Sequence, residues 1–340
     1  MKNTTKTFVT LALVAAALTF TACKQAPAES TEATLEVVEA NPLPSWHDSA
    51  SKSQIMAFVE AVTQENGPDY VAPANRIATF DNDGTLWSEQ PAYFQLIYSI
   101  DLVKKMAPEH PEWAKDPVFK AVLDDDMKAV MASGHAGLGK ILMATNAGMT
   151  VDAYTEKIMD WLATAKHPTK NKAYNELIFQ PMLELIQYLT DNDFKVFIVS
   201  GGMADFMRPW ASETYGIPTE RIVGSTLKVV YTDAGELELL PEFDLIDDKA
   251  GKPVGIHKYI GKRPIAAFGN SDGDLQMLQY TAAGSGKRLM AFVHHTDAER
   301  EWAYDRDSHI GKFDKGLDEA QEKGWTLIDM KNDWKTVFPE

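Results

Sequence analysis

Cysteine is almost missing from this chain: its 340 residues include one, Cys23. A single thiol excludes intramolecular disulfides and cysteine-built metal clusters. Positive charge is also scarce, with 33 Lys and Arg against 49 Asp and Glu and a formal net charge of −16. So acidic a surface argues against nucleic acid as a partner, because phosphate backbones are held by basic side chains. An anionic small molecule stays open, since a metal ion and a few lysines can reverse the local field. No unbroken apolar run reaches the ~20 residues needed to cross a bilayer. No internal repeat is evident. What is present is ordinary for a globular protein: 45% hydrophobic and 24% charged residues, in a length that suits one or two domains.

The place of the lone cysteine is informative. Residues 1–23 begin with Lys2 and Lys6, continue through an apolar stretch at 8–20 and end on Thr21-Ala22-Cys23, which is the plan of a secretory signal. The ending resembles a bacterial lipobox, with Phe20 where leucine is usual. That resemblance implies a signal peptide at 1–22 and lipid attachment at Cys23. It also implies export to the periplasm, with a lipid anchor as the only membrane contact and the outer membrane as the expected location. Loss of the leader leaves 31 bases against 49 acids, a charge of −18. Residues 23–45, rich in Ala, Glu, Thr and Pro without helical period, read as a flexible acidic linker.

The chemistry gathers at 76–86, an apolar run that ends in two carboxylates, a glycine and a hydroxyl: Phe80-Asp81-Asn82-Asp83-Gly84-Thr85. It reads as a buried strand running into a tight turn. Extended residues two apart face the same side. Asp81 and Asp83 therefore project together from the strand's carboxyl end, where open α/β sheets place their ligands. Adjacent carboxylates repel unless a hard divalent cation lies between them, and oxygen-only ligation suits Mg²⁺.

Around that strand the pattern is uneven. A helix is expected at 51–63. From 90 to 172 there are only helical patterns, at 93–105, 118–133 and 151–164, broken by Pro and Gly. Thereafter helix and strand alternate: helices at 174–190, 203–215 and 252–260, strands at 194–200, 221–225, 264–269, 288–293 and 325–330. A hairpin is expected over 227–240, turning at Asp233-Ala234-Gly235. Such alternation implies an α/β fold with a doubly wound, Rossmann-like parallel sheet. The core domain comprises 46–89 and 173–340, and 90–172 is an inserted α-helical cap.

Two more strand exits carry functional groups. The strand at 194–200 ends in Ser200-Gly201-Gly202, which can offer a hydroxyl and backbone N–H groups to a phosphate, with the following helix adding its positive end. The strand at 264–269 runs into Asn270-Ser271-Asp272-Gly273-Asp274. In order, these segments resemble motifs I, II and IV of the haloacid dehalogenase (HAD) superfamily, in the branch that includes phosphoserine phosphatase, whose helical cap follows motif I. The matching motifs span residues 76–278.

The resemblance implies a fold and a chemistry. Asp81 would be the nucleophile, Asp83 the general acid and base, and Ser200 and Gly201 the phosphate holders. Asp81, Asp83, Asn270 and Asp274 would hold Mg²⁺. Asn270 stands where the family has Asp, so either its carbonyl serves or Asp272 turns inward as a substitute. The family's charge-screening lysine comes from Lys249, Lys252, Lys258 or Lys262; Lys252 opens the helix leading into the motif IV strand and is the expected one. Asp83 favours ester hydrolysis over dehalogenation or ion pumping, since those branches lack an acid there. The implied activity is Mg²⁺-dependent hydrolysis of a small phosphomonoester through an aspartyl phosphate. A non-catalytic binder of metal or phospho-ligand, or a phosphotransferase, is the alternative.

Three further features have plainer readings. Residues 134–140 fit P-loop spacing, but Ile141 replaces the Ser or Thr and no strand precedes, so a loop between cap helices is expected. His294-His295 lacks zinc-type spacing and reads as an exposed strand end. Trp87, Tyr93 and Phe94 either wall a substrate or, more commonly, pack cap against core.

Overall fold

The computed structural model describes residues 41–339. The leader, Cys23 and the tether up to residue 40 lie outside the described residues. Seven strands form one sheet: β1 Ile77–Phe80, β2 Lys195–Met203, β3 Ile222–Tyr231, β4 Leu237–Leu245, β5 Ala266–Gly269, β6 Leu289–His294 and β7 Thr326–Asp329. Their order is β4-β3-β2-β1-β5-β6-β7, parallel throughout except for β4, which runs antiparallel to β3. The chain builds outward from β1 to β2 and β3, then crosses back to β5 on the other side. That reversal at β1 opens the crevice in which such sheets bind ligands. Register is set on both flanks, with Phe80 opposite Ile198 of β2 and Phe268 of β5.

Period-two alternation explains why both faces are covered. Ala78, Phe80, Val196, Ile198, Ala266, Phe268, Ala291 and Val293 point into one hydrophobic cluster. Val199, Ala267 and Phe292 point into a second, with Leu275 and Leu278 of helix Leu275–Ala282 and Leu317 of helix Lys315–Lys323. Strands buried on both faces read as continuous apolar runs, which is how they appear in the sequence.

Between β1 and β2 the chain forms helices with their own small cluster, including Leu96, Ile100, Val103, Trp113, Phe119, Val130 and Ile141. Helices Phe94–Met106 and Val151–Thr164 lie where the periodicity puts them. The expected helix at 118–133 is instead two, Pro117–Leu123 and Met127–Ala132. The break is local chemistry: Asp125 takes φ 58°, and Asp126 turns its carboxylate back to cap the second helix at Ala129 N, as short acids do. Residues 134–140 are not a loop but the start of helix Gly134–Asn146, with Lys140 paired to Asp116.

Other boundaries differ from expectation for similar reasons. The helix expected at 174–190 begins at Gln180, with Pro181 in its first turn, because Ile178 first bridges to Trp87. The strands expected at 221–225 and 227–231 are one, β3, which leaves β2 and continues into the hairpin with β4. At the start of the described chain, residues expected in the linker are already packed: Leu43 is buried and Ser45 N donates to Glu184 at 2.9 Å.

Candidate active site

Asp81 directly follows β1, and its backbone N–H is tied across to Phe268 O at 2.9 Å. The carboxylate is buried and meets the ammonium of Lys252 at 2.6 Å. Lys252 is itself buried, in the first turn of Gly251–Gly255. The same Nζ reaches Asp274 Oδ1 at 2.6 Å and Val199 O at 2.7 Å. An ammonium has three N–H donors, and all three are thereby in use. Burial would depress the Lys252 pKa, but the charges of Asp274 and Asp81 outweigh it and raise it. Burial raises Asp81 well above the carboxylate range, Asp274's charge adds to that, and Lys252 opposes both.

Asp83 lies on the same side. Its Oδ1 accepts from the Trp87 indole at 2.8 Å, and burial lifts its pKa to about 6. The turn between them depends on Gly84 at φ 72°. A Cβ there would lie 2.0 Å from Asn270 Nδ2 and 2.4 Å from Glu89 Oε1, so backbone conformation and space both require glycine. Behind the turn, His295 Nε2 meets Gly84 O at 2.7 Å and Nδ1 meets Glu301 Oε2 at 3.0 Å. The expected exposed strand end therefore fails for His295, which is 2% exposed, because this contact draws it inward.

The β5 exit divides its side chains. Asp274 Oδ2 accepts from the backbone N–H groups of Asn270 and Ser271 at 3.0 and 3.1 Å, leaving Oδ1 for Lys252. Asp272 does not turn inward as a substitute ligand. Its Oδ1 accepts from Asp314 N and Gly316 N at 3.0 and 2.8 Å, holding the start of helix Lys315–Lys323. Asn270 is buried beside the pocket, donating to Glu89 Oε1 at 2.6 Å and facing Thr85 Oγ1 at 3.3 Å.

On β2 the strand does not stop at Ser200 but runs to Met203 with a register shift. Ser200 is fully buried and accepts from Gly202 N at 3.1 Å, while Gly201 and Gly202 line the pocket. Of the other lysines, Lys249 lies near Asp248, Lys258 pairs with Asp244, and Lys262 binds Asn75. Trp87 and Phe94 are fully buried, Trp87 stacked on Trp210 and Phe94 edge-on to Tyr174. Tyr93 lines the pocket.

Glu89 is the site residue that sequence reading missed. It is 1% exposed, lines the pocket and also accepts from Tyr304 OH at 2.7 Å. Burial pushes its pKa well up, and the charges of Asp83 and Asp81 add to that. Asp81, Asp83, Glu89 and Asp274 thus share one pocket in which Lys252 is the single cation among the described residues. Among the described residues, no three acidic or histidine side chains are already closed around one point. Even so, an all-oxygen donor set with excess negative charge fits a hard divalent cation.

This geometry stands beside a direct match: residues 78–279 fit the haloacid dehalogenase-like hydrolase family, and the chain belongs to it. No curated protein matches the chain in sequence. Among solved structures, a conserved protein of unknown function from Anaerococcus prevotii is similar at 16% identity and TM-score 0.56, covering 84% of this chain and 93% of that one. A protein of unknown function from Bordetella pertussis is similar at 13% identity and TM-score 0.50, covering 75% and 99%. Both likenesses concern the fold. The chain is thus a hydrolase with an α/β sheet and a helical insertion after its first strand.

Proposed function

We propose that the chain is a Mg²⁺-dependent phosphatase that cleaves a small phosphomonoester through an aspartyl phosphate on Asp81. The observation that carries this reading is the bridge of Lys252 between Asp81 and Asp274, 2.6 Å to each, beside a second carboxyl, Asp83, on the same pocket. A carboxylate nucleophile must be ionised; burial works against that, and Lys252 works for it. An Asp81 oxygen attacks phosphorus, an O–P bond forms, and the ester P–O bond breaks. Asp83 gives its proton to the departing alkoxide and takes one from the water that later hydrolyses the acyl phosphate. A pKa of about 6 suits a group that must do both near neutrality.

When bound, Mg²⁺ would supply charge neutralisation for the phosphoryl oxygens, held by Asp81, the Asp83 carbonyl, Asp274 and the Asn270 carbonyl. Lys252 screens Asp81 and Asp274, and Gly201 and Gly202 bring backbone to the phosphate side. Asn270 is the feature that favours a non-catalytic binder. Against it, Glu89 accepts from the Asn270 amide at 2.6 Å, so a carboxyl oxygen donor still stands at this corner.

Rapid mixing with an aryl phosphate and Mg²⁺ tests the mechanism. Asp83→Asn should give a burst of phenol and a trapped phosphoprotein, with steady turnover of alkyl esters reduced on the order of 10²–10⁴-fold, the general acid–base factor. Asp81→Asn should give neither burst nor phosphoprotein. Normal phosphoprotein in Asp81→Asn, or full wild-type activity in chelator, would overturn the reading.

A further inference from the structure

The wall opposite the carboxylates narrows the substrate. The pocket has a volume of about 250 Å³, and its charged lining among the described residues is Asp81, Asp83, Glu89, Asp248 and Asp274 against Lys252 alone. Lys252 has no donor left, since its three N–H groups already meet Asp81, Asp274 and Val199 O. A second anionic group on the substrate would find no free cation there and several carboxylates. The helical side, the hairpin and the residue after it supply mostly hydrocarbon at this wall, Leu96, Leu138, Leu142, Phe243 and Ile246. The polar side chains beside it are Tyr93, whose hydroxyl accepts from Gly311 N, and Gln95, whose Oε1 accepts from Met203 N. Leu138 and Leu142, four apart in helix Gly134–Asn146, share a face. Gly139 between them faces the Phe243 ring, which a Cβ there would meet at 3.4 Å, an ordinary contact.

Resting on the phosphatase reading, we propose that the substrate is the phosphate monoester of an apolar alcohol, aliphatic or aromatic, whose only ionised group is the phosphate removed. Phosphorylated sugar acids and bisphosphates carry the uncompensated second anion that this pocket repels. Recognition of the alcohol comes from transfer of its hydrocarbon out of water.

The test is a kinetic series in Mg²⁺ with methyl, propyl and hexyl phosphates, set against 2-phosphoglycerate and 3-phosphoglycerate. The expected result is a rise in kcat/KM of about fourfold per methylene, the equivalent of ~0.8 kcal/mol per buried CH₂, until the wall is filled, with the acidic esters at least tenfold below propyl phosphate. Leu142→Lys should reverse the order, lowering hexyl phosphate and raising the acidic esters. Binding of hexylphosphonate and 3-phosphonopropionate by calorimetry supplies a readout without turnover, and hexylphosphonate should bind more tightly. If no ester is hydrolysed but that binding order holds, the phosphatase reading falls and the pocket assignment stands. Acidic esters turned over as fast as hexyl phosphate, or tighter binding of 3-phosphonopropionate, overturns the substrate class.

Discussion

The two walls of the pocket are built on opposite principles. On the sheet side, Lys252 is fully engaged by Asp81, Asp274 and Val199 O, and moving any of these atoms disturbs the others. On the helical side, packing is apolar, and in the packing behind that wall polar atoms are left idle: Tyr98 Oη and Ser99 Oγ are buried with no hydrogen-bond partner among the described residues. One wall needs particular atoms at particular places. The other needs volume and hydrocarbon, so many sequences could supply it.

If that contrast holds, the largest effect comes from breaking the sheet-side bridge. Lys252→Met leaves Asp81 and Asp274 facing each other without a cation in a buried site. Removing one partner from a buried charge pair typically costs ~3–5 kcal/mol, so urea unfolding in chelator should show a loss of that order. A loss below about 1 kcal/mol, the range of an exposed ion pair, would mean that the bridge does not hold this wall together.

An effect of comparable size and opposite sign sharpens the comparison within the sheet side. Asp247 is fully buried and neither carboxylate oxygen has a partner among the described residues. Burial raises its pKa from an ordinary 3.8 to about 8. The native state therefore keeps a proton that the unfolded chain releases near pH 4. Stability from this group is complete below pH 4 and lost as pH climbs to about 8, because the native state binds more protons over that window. Asp247→Asn should remove this slope, raising Tm at pH 8 and leaving it almost unchanged at pH 4. Equal shifts at both pH values would contradict the assignment.

The smallest effect belongs to the packing behind the helical wall. Tyr98→Phe deletes a hydroxyl that has no partner among the described residues, while keeping the ring against Tyr154, Trp161 and Phe206. Stability should change by less than ~1 kcal/mol, with either sign acceptable. A loss of several kcal/mol would show that this wall also depends on particular atoms.

The same contrast governs what could be read from the sequence. Asp81, Asp83 and Asp274 announce themselves because acids at fixed spacing on the exit of a buried strand point to one kind of chemistry, and the alternation of elements sets the sheet. Glu89 follows no spacing rule. It reaches the pocket because the chain after Gly84 doubles back, Gly84 N bonding to Trp87 O and Ser88 N to Leu177 O, which is tertiary information. The true place of Asp272 is hidden because its partners at 314–316 are far away in the chain. That of His295 is hidden for a related reason, since its partner is a backbone carbonyl that leaves no trace in composition. Helix 134–146 is obscured by its glycines, which lower helical propensity.

Immediately before the two acidic loops, Phe80 and Phe268 lie side by side on β1 and β5, rings 4.3 Å apart and tilted by only 13°. Each ring is fully buried, and each backbone is locked to the other by the sheet. The pair acts as a spacer block clamped between two jaws. The stacked rings and the strand register together fix the separation of the two strand exits, and with it the gap that Lys252 spans. The tolerance of the site is machined into the hydrocarbon beneath it, and the loops above inherit it.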